Sequence, residues 1–430
     1  MVAYHLSKKQ RKMSAWISFF AISAFQHGLG IQIPWWKLAS NPATNGLRGT
    51  ATRALKAVVR RCKRQRYTTT LIVIMVAAKM FTLLVGAYNP AITSVRFNTT
   101  SSNLTVLGTS PSGTNPSWIA THPLNNSVIV STNEVNPTGG LSTFLVTDRS
   151  NGVVVRSSQG TTGADPAFIV GLAKNRQVAV MDYSGGSGSF IPLQEDLLTL
   201  DESKAQRIKF DAAVSHPHQA VEHEDEILIP DLGADKIWRL KQSAAGQSDV
   251  PSWTVQGFVE QAQGSGPRHI AVCGGILYTL NELKSTLVSQ TLPSLDSSEQ
   301  SKTISSLSII PEGANSSTFG AAELILDEKR GLLYASNRNL AEVPDPRGDT
   351  IAIFSFDKTG NLTLVNQVFT GLNQIRAMSQ GGYDTRYIAA GGLVGGGLVV
   401  YEKSDNGRDL KERARLPAGV VTQPASFAWL

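Results

Sequence analysis

The chain has 430 residues, of which 41% are hydrophobic and only 17% charged, which excludes an intrinsically disordered protein and allows a large buried core. Its net charge of +7 is unevenly distributed, because fourteen of the 40 Lys and Arg residues and none of the 33 Asp and Glu residues lie in residues 1–79. The rest of the chain therefore carries 26 basic and 33 acidic side chains, a net charge of −7. This distribution argues against nucleic acid as a partner of the folded part.

Residues 1–66 are basic, contain no acidic residue and have no sustained hydrophobic period. This composition is typical of an organellar transit segment, and it also fits a translation start assigned too far upstream of Met80. We predict that residues 1–79 are a non-globular extension and that residues 80–430 form one domain. A cytoplasmic location is predicted, with an organelle or a membrane anchor as the alternative if the extension is part of the mature protein.

The apolar run of residues 71–87 could be taken for a transmembrane helix because basic residues precede it. It is short for a bilayer span and contains Lys79. Residues 81–88 also fit a β-strand, with residues 91–97 as its partner, so membrane association is not predicted. The domain contains one cysteine, Cys273, and cannot form an internal disulfide, so the cysteine content does not indicate an oxidising compartment.

A short sequence motif, in most copies a proline followed by apolar residues, occurs seven times along the domain. The copies begin at residues 116, 166, 217, 267, 321, 375 and 424, at intervals of 50, 51, 50, 54, 54 and 49 residues. All but the last are followed by a turn and a second apolar run rich in β-branched residues, which favours strands. Seven repeats of about fifty residues predict an all-β fold, a seven-bladed β-propeller with four strands in each blade.

The seventh copy ends almost at Leu430 and leaves no room for the other three strands of its blade. Strands from the start of the domain, beginning with residues 81–97, must then complete it. Pairing of the two terminal regions in one sheet removes the open edge and closes the ring.

The repeat also predicts which residues share one end of the central channel. The innermost strand of a blade runs along the channel and its neighbour returns antiparallel, so the start of the first strand and the end of the second lie together. This rule selects His218, Arg268 and Arg376 from first strands, and Glu134, Asp231, Glu282 and Arg338 from second strands. Arginines beside an imidazole and carboxylates indicate an anion site with a proton donor or acceptor.

Motifs for other chemistry are absent from the sequence. There is no Cys-x-x-Cys and no His-Glu-x-x-His, so a zinc site is not predicted. The glycine-rich residues 391–397 lack the Lys-Ser/Thr of a phosphate-binding loop and are interpreted as a turn. We predict neither a metal nor a cofactor.

Several motifs resemble those of the seven-bladed lactonase family. They are His-Gln at 218–219, Asp-Leu-Gly-Ala-Asp at 231–235, Gly-Pro-Arg-His at 266–269, Leu-Tyr-Thr-Leu-Asn-Glu-Leu at 277–283 and Leu-Tyr-Ala-Ser-Asn-Arg at 333–338. The family contains propeller-type 6-phosphogluconolactonases and fungal 3-carboxy-cis,cis-muconate lactonizing enzymes, and Gly-Pro-Arg-His and Asn-Glu-Leu look more like the former. The likeness covers residues 81–430.

The resemblance implies that the catalytic residues are His218, Arg268, Glu282 and Arg338. We add four predicted substrate-binding residues, which are Arg376, His269, Asp231 and Glu134. The expected reaction is metal-independent hydrolysis of a sugar lactone such as 6-phosphogluconolactone, with the two catalytic arginines holding the anion and either Glu282 or His218 activating water.

Two alternative functions remain open at this point. The same residues could cyclise a carboxylated muconate, with His218 or Glu282 delivering a proton, or the propeller could be a non-catalytic module that binds partners. The predicted ligand is a small anion, and the sequence leaves the oligomeric state open.

Overall fold

The domain is built almost entirely from short antiparallel strands. The computed structural model describes residues 80–243 and 252–430, so the predicted basic extension of residues 1–79 lies outside the described residues. Within the described ranges, 28 strands form seven sheets of four strands each. This arrangement confirms the predicted all-β, seven-bladed propeller.

In six blades the four strands follow one another along the chain, from the channel outward. Their bounds are β4 Ile119–His122, β5 Asn125–Asn133, β6 Gly140–Asp148 and β7 Val153–Thr161; β8 Pro166–Gly171, β9 Gln177–Asp182, β10 Ser187–Pro192 and β11 Gln206–Lys209; β12 Val221–His223, β13 Glu226–Asp231, β14 Lys236–Gln242 and β15 Trp253–Glu260; β16 Pro267–Cys273, β17 Ile276–Asn281, β18 Thr286–Thr291 and β19 Thr303–Ser308; β20 Phe319–Asp327, β21 Leu332–Asn339, β22 Thr350–Phe356 and β23 Leu362–Phe369; and β24 Asn373–Gly381, β25 Tyr387–Gly395, β26 Leu398–Ser404 and β27 Asp409–Leu416. Single 3₁₀ turns lie at Glu202–Lys204, Ser316–Thr318, Glu328–Arg330, Tyr383–Thr385 and Asp405–Gly407.

The closing blade joins the two ends of the domain. Its strands, from the channel outward, are β28 Pro424–Trp429, β1 Met80–Ala87, β2 Ala91–Asn98 and β3 Asn103–Pro111. Leu84 of β1 pairs with Ala428 of β28, and Phe81 pairs with Phe97 of β2. The predicted closure and the predicted strand pair at the start of the domain are therefore confirmed.

The apolar run that could be taken for a membrane span ends in strand β1. Strand β1, residues 80–87 of that run, pairs with β2 along one edge and with β28 along the other, whereas residues 71–79 lie outside the described residues. None of the described helices is long and apolar enough to span a bilayer. The cytoplasmic location stays a prediction.

Burial differs between the inner and outer strands of a blade. All six residues of β9, β13 and β17 are buried, because these second strands have neighbouring blades against both faces. The outermost strands β3 and β7 carry mostly exposed or half-buried residues, since little packs outside them. The continuous apolar runs that mark the second strand of each repeat in the sequence therefore reflect burial on two faces.

Candidate functional site

A cavity of about 280 Å³ lies at one end of the channel. It is lined by nine residues: Glu134, Asp165, Ala167, Tyr183, Ser184, His218, Glu282, Arg338 and Arg376. Five of the eight predicted site residues are in this lining, and Arg268 lies directly behind it in contact with Glu282. The structure thus brings together the four residues predicted to be catalytic, while their roles stay a prediction.

β-bulges aim two of the arginines at this end of the channel. In β16, Pro267 pairs with Asn281 and His269 with Leu280, so Arg268 is the extra, unpaired residue of a bulge. Arg376 has the same position in β24, between Ile375 and Ala377. A bulge turns the extra residue out of the regular alternation of the strand, a device common beside active sites.

Glu282 holds two arginines at once. Its Oε2 lies 2.9 Å from Nε of Arg268, and its Oε1 lies 2.7 Å from Nη2 of Arg338. The first contact is a close ion pair rather than an aligned hydrogen bond, because the Nε–H of Arg268 does not point along the line to the carboxylate. The guanidinium groups also donate to backbone carbonyls, Arg268 to Ala322 and Arg338 to Ala321.

This cluster is charged at neutral pH. Burial by itself would raise the pKa of Glu282, but the charges of Arg338 and Arg268 outweigh burial and lower it. Burial lowers the pKa of Arg268 to about 10, which still leaves its guanidinium protonated at pH 7. Glu282 is therefore an ionised carboxylate whose charge is shared between two cations.

Arg376 is held more loosely than the other two arginines. Its Nη2 lies 3.9 Å from Oε1 of Glu134, and its guanidinium carbon lies 5.5 Å from the ring centre of Tyr88. Tyr88 in turn donates its hydroxyl hydrogen to Glu134, with oxygen–oxygen distances of 3.0 and 3.1 Å. Burial tends to lower the pKa of Arg376, but Tyr88 and Glu134 raise it overall, so its charge is retained.

His218 is the one histidine in the lining of this cavity. Its side chain is almost fully buried, and its ring lies edge-on to that of Tyr183 with centres 5.8 Å apart. Burial, followed by the positive charge of Arg268, lowers the pKa of His218 well below its usual value. The imidazole is therefore neutral at pH 7 and can accept a proton.

Comparisons with known proteins identify the family of this chain. Residues 82–418 match the family model described as lactonase, 7-bladed beta-propeller, which is more than three quarters of the chain. The chain belongs to this lactonase family. It is therefore an enzyme of the lactone-hydrolase class, and the residues that resemble the family's motifs lie within the matched segment.

Individual relatives of this lactonase carry related names. A protein of Arthroderma benhamiae named probable 6-phosphogluconolactonase is 26% identical over 317 residues, covering 69% of this chain and 75% of the relative. A periplasmic gluconolactonase of Pseudomonas aeruginosa matches with a TM-score of 0.70 at 21% identity, over 82% of this chain and 99% of the other. A putative 6-phosphogluconolactonase of Bacteroides fragilis matches with a TM-score of 0.68 at 22% identity, over 82% of this chain and 98% of the other. At these identities the two structures support the fold alone.

Asp231, predicted to bind substrate, is not in the lining of the lactonase cavity. Its carboxylate is fully buried and organises the chain around the start of β14 instead. It accepts hydrogen bonds from Oγ of Ser215 at 2.6 Å, from the backbone N–H groups of His216, Gly233 and Ala234 at 2.7 to 3.2 Å, and from Nε1 of Trp238 at 2.9 Å. Its oxygens are occupied, so the geometry gives Asp231 a structural role.

We expect Asp231→Ala to lower the free energy of unfolding by about 3 kcal/mol, because several buried donors lose their acceptor together. The KM of the remaining folded enzyme should stay within about twofold of the wild type. Urea unfolding followed by fluorescence measures the free energy of unfolding. Asp225→Ala, at an exposed carboxylate, is the control. A raised KM at unchanged stability would return Asp231 to the substrate site.

His269 is also outside the cavity lining of the lactonase, although it neighbours Arg268 in the chain. Regular pairing resumes after the bulge, so His269 points to the buried side of β16 and is fully buried. Its Nδ1 lies 2.7 Å from Oε1 of Glu323. Direct contact of His269 with substrate in this cavity is therefore not supported.

Two tyrosines of the site were missed at the sequence level. Tyr88 directly follows β1 and Tyr183 directly follows β9, and both strands are the second strand of their blade. The rule that selected Glu134 and Glu282 would have selected these tyrosines as well.

Proposed function

We propose that this lactonase hydrolyses a monomeric sugar lactone such as 6-phosphogluconolactone. The observation that carries the proposal is that a neutral imidazole, His218, shares one small cavity with the guanidinium groups of Arg338 and Arg376. The volume, about 280 Å³, suits a single sugar unit rather than an oligosaccharide. The name of the Arthroderma relative supports the same substrate class.

In the proposed reaction His218 is the general base. It takes a proton from a water molecule as the water oxygen attacks the lactone carbonyl carbon, and the carbonyl oxygen becomes an oxyanion beside the arginine cluster. When the tetrahedral intermediate collapses, the bond between the carbonyl carbon and the ring oxygen breaks. His218 returns its proton to that ring oxygen, which leaves a hydroxy acid as the product.

Glu282 is the less suitable base for this reaction. Its carboxylate is shared by Arg268 and Arg338 and its pKa is lowered, so it has little tendency to accept a proton. We assign Glu282 the task of holding both guanidinium groups in fixed positions. Fixed cations stabilise a developing oxyanion without reorganisation during the reaction.

Arg376 is the proposed anchor for a phosphate on the substrate. It is the cavity arginine with the longest ion-pair contact, 3.9 Å, and its guanidinium therefore has donors available for a phosphate. We expect Arg376→Gln to raise KM for 6-phosphogluconolactone by about 10- to 100-fold, the value of one or two charge-assisted hydrogen bonds. KM for unphosphorylated gluconolactone should change by less than about threefold.

The measurement is steady-state lactone hydrolysis by the full-length enzyme with both substrates. Arg386→Gln is a matched control, because Arg386 pairs with Glu402 and does not line the cavity. An equal increase in KM for the two substrates would show that Arg376 does not bind the phosphate. Absence of hydrolysis of every sugar lactone by the wild type would overturn the proposed function itself.

Cyclisation of 3-carboxy-cis,cis-muconate is the second candidate function. Three arginines within one cluster suit a substrate with several carboxylates as well as they suit a phosphate, and His218 could supply the proton. Following muconate absorbance with the same enzyme distinguishes the two reactions. Membership of the lactonase family favours either enzyme over a non-catalytic interaction module.

A further inference from the structure

A line of buried polar groups continues from His218 into the channel wall. The ring of His269 lies 5.2 Å from that of His218, centre to centre, and Nδ1 of His269 lies 2.7 Å from Glu323. The three residues come from three successive blades. All three are at most 5% exposed.

Two imidazole nitrogens in this line are buried without a hydrogen-bond partner among the described residues. They are Nδ1 of His218 and Nε2 of His269. Buried polar atoms are nearly always satisfied in folded proteins, so two such atoms on neighbouring rings need an explanation. With ring centres 5.2 Å apart, ring nitrogens that are turned toward each other lie within hydrogen-bonding distance.

The hydrogen bonds at the Glu323 end decide where the protons lie. Oε1 of Glu323 also accepts the backbone N–H of Leu324 at 3.1 Å, so this oxygen is an acceptor toward its neighbours and Nδ1 of His269 carries the hydrogen. Nε2 of neutral His269 is then a pure acceptor. It can accept Nδ1–H of His218, which leaves the lone pair of His218 on Nε2, the nitrogen available to the cavity.

We propose that Glu323 and His269 are positioning residues that hold His218 in its Nδ1–H tautomer and stabilise its protonated form during lactone hydrolysis. This inference rests on the proposed function of the same site. When Nε2 of His218 takes the proton of the attacking water, the new positive charge is balanced through His269 by the carboxylate of Glu323. No proton needs to leave the line, because His218 returns the one it took to the ring oxygen of the product.

The neighbouring charges make such a counter-charge necessary. The groups that face His218 are Arg268, Arg338, Arg376, Tyr183, Glu282 and His269, and those that face His269 are Glu323, Arg268 and Glu282. Glu282 is shared between two of the arginines, so three cations surround an imidazole that must become cationic. Glu323 lies on the other side of His269 and offsets them.

Glu323→Gln tests the proposal, because the amide oxygen can still accept both hydrogen bonds while the charge is lost. We expect kcat for the lactone to fall about 100-fold with KM within about threefold, a smaller loss than the roughly 10⁴-fold caused by removing a carboxylate bonded directly to a catalytic histidine, because Glu323 acts through His269. The acidic limb of the pH profile of kcat/KM should move to lower pH, since loss of a negative charge lowers the pKa of His218 further. Glu323→Asp keeps the charge, so its acidic limb should lie at the same pH as in the wild type.

Glu226→Gln is the matched control, because Glu226 is equally buried and paired with Arg239 at the far end of β13. It should leave the pH profile unchanged even if stability falls. A shift of the acidic limb of Glu323→Gln toward higher pH would indicate only a loosened, hydrated site and would overturn the proposal. Unchanged kcat and pH profile in folded Glu323→Gln would also overturn it.

A measurement on the wild type needs no enzymatic activity and uses a variant only to assign the spectrum. The chain has seven histidines, so ¹⁵N-histidine spectra are simple enough to assign with His218→Asn as reference. The proposal requires the Nδ1–H tautomer for both His218 and His269 at neutral pH. An Nε2–H tautomer at His218 would overturn the proposed positioning role of Glu323 and His269. The Nδ1–H tautomer with no lactone hydrolysis would instead show that the proposed function is wrong.

Discussion

His218→Asn is expected to lower kcat of lactone hydrolysis by about 10²- to 10⁴-fold with little change in KM. Asparagine keeps a polar group near the position of Nδ1 but removes the basic Nε2 nitrogen, so proton transfer is lost while the arginines still hold the substrate. Steady-state kinetics of the full-length enzyme measure the effect. A kcat within threefold of the wild type would remove His218 from the reaction.

The pH dependence of the wild type gives an independent check of the same assignment. A general base is inactive when protonated, and burial places the pKa of His218 well below its usual value. The value of kcat/KM should therefore stay constant as the pH falls from 8 to about 6.5, and decline only at lower pH. His223→Asn, at the end of β12 and outside the cavity lining, should leave rate and profile unchanged.

Glu282→Gln should also reduce activity, but in a different way from His218→Asn. Loss of the carboxylate leaves Arg268 and Arg338 buried near each other without their shared counter-charge. We expect the two cations to repel and shift, so that kcat and thermal stability fall together. If Glu282→Gln lost activity at unchanged stability, Glu282 and not His218 would become the better candidate for the base.

The second large effect expected is on folding. A chain that lacks residues 1–98 loses β1 and β2 and should not fold, because β28 then loses its partner β1 and β3 loses β2. Aromatic contacts between blades are lost as well, because the ring centres of Phe81 and Phe97 lie 5.8 and 5.0 Å from that of Tyr387 in the neighbouring blade. An open propeller exposes strand edges and one face of two blades to water.

Circular dichroism and thermal melting of purified chains test this expectation. The matched comparison is a chain that lacks only residues 1–79, which keeps all 28 strands and should melt cooperatively near the temperature of the full chain. Cooperative melting of the chain that lacks residues 1–98 would show that the ring does not depend on its closing blade.

The repeat allowed the fold and the membership of the site to be predicted from the sequence. Copies of one sequence motif at near-constant intervals place equivalent residues at equivalent points of successive blades. Arg268, Glu282 and Arg338 could therefore be assigned to one end of the channel without coordinates. The seventh, incomplete copy required strands from the start of the domain, and β1 pairs with β28 as expected. Strand periodicity and turn spacing are local properties, and the sequence carries them directly.

The orientation of the side chains within that ring depended on the tertiary structure. The register shifts that leave Arg268 and Arg376 unpaired have no marker in the sequence, since a bulge is decided by pairing with the neighbouring strand. For the same reason His269, one residue from Arg268, points to Glu323 and not to the cavity. Burial and neighbouring charges act on a pKa only when separate blades meet: burial and Arg268 lower the pKa of His218, whereas the charges of Arg338 and Arg268 lower that of Glu282 against the effect of burial. Both oxygens of Glu282 are paired with arginines, and this pairing is what favours His218 as the base.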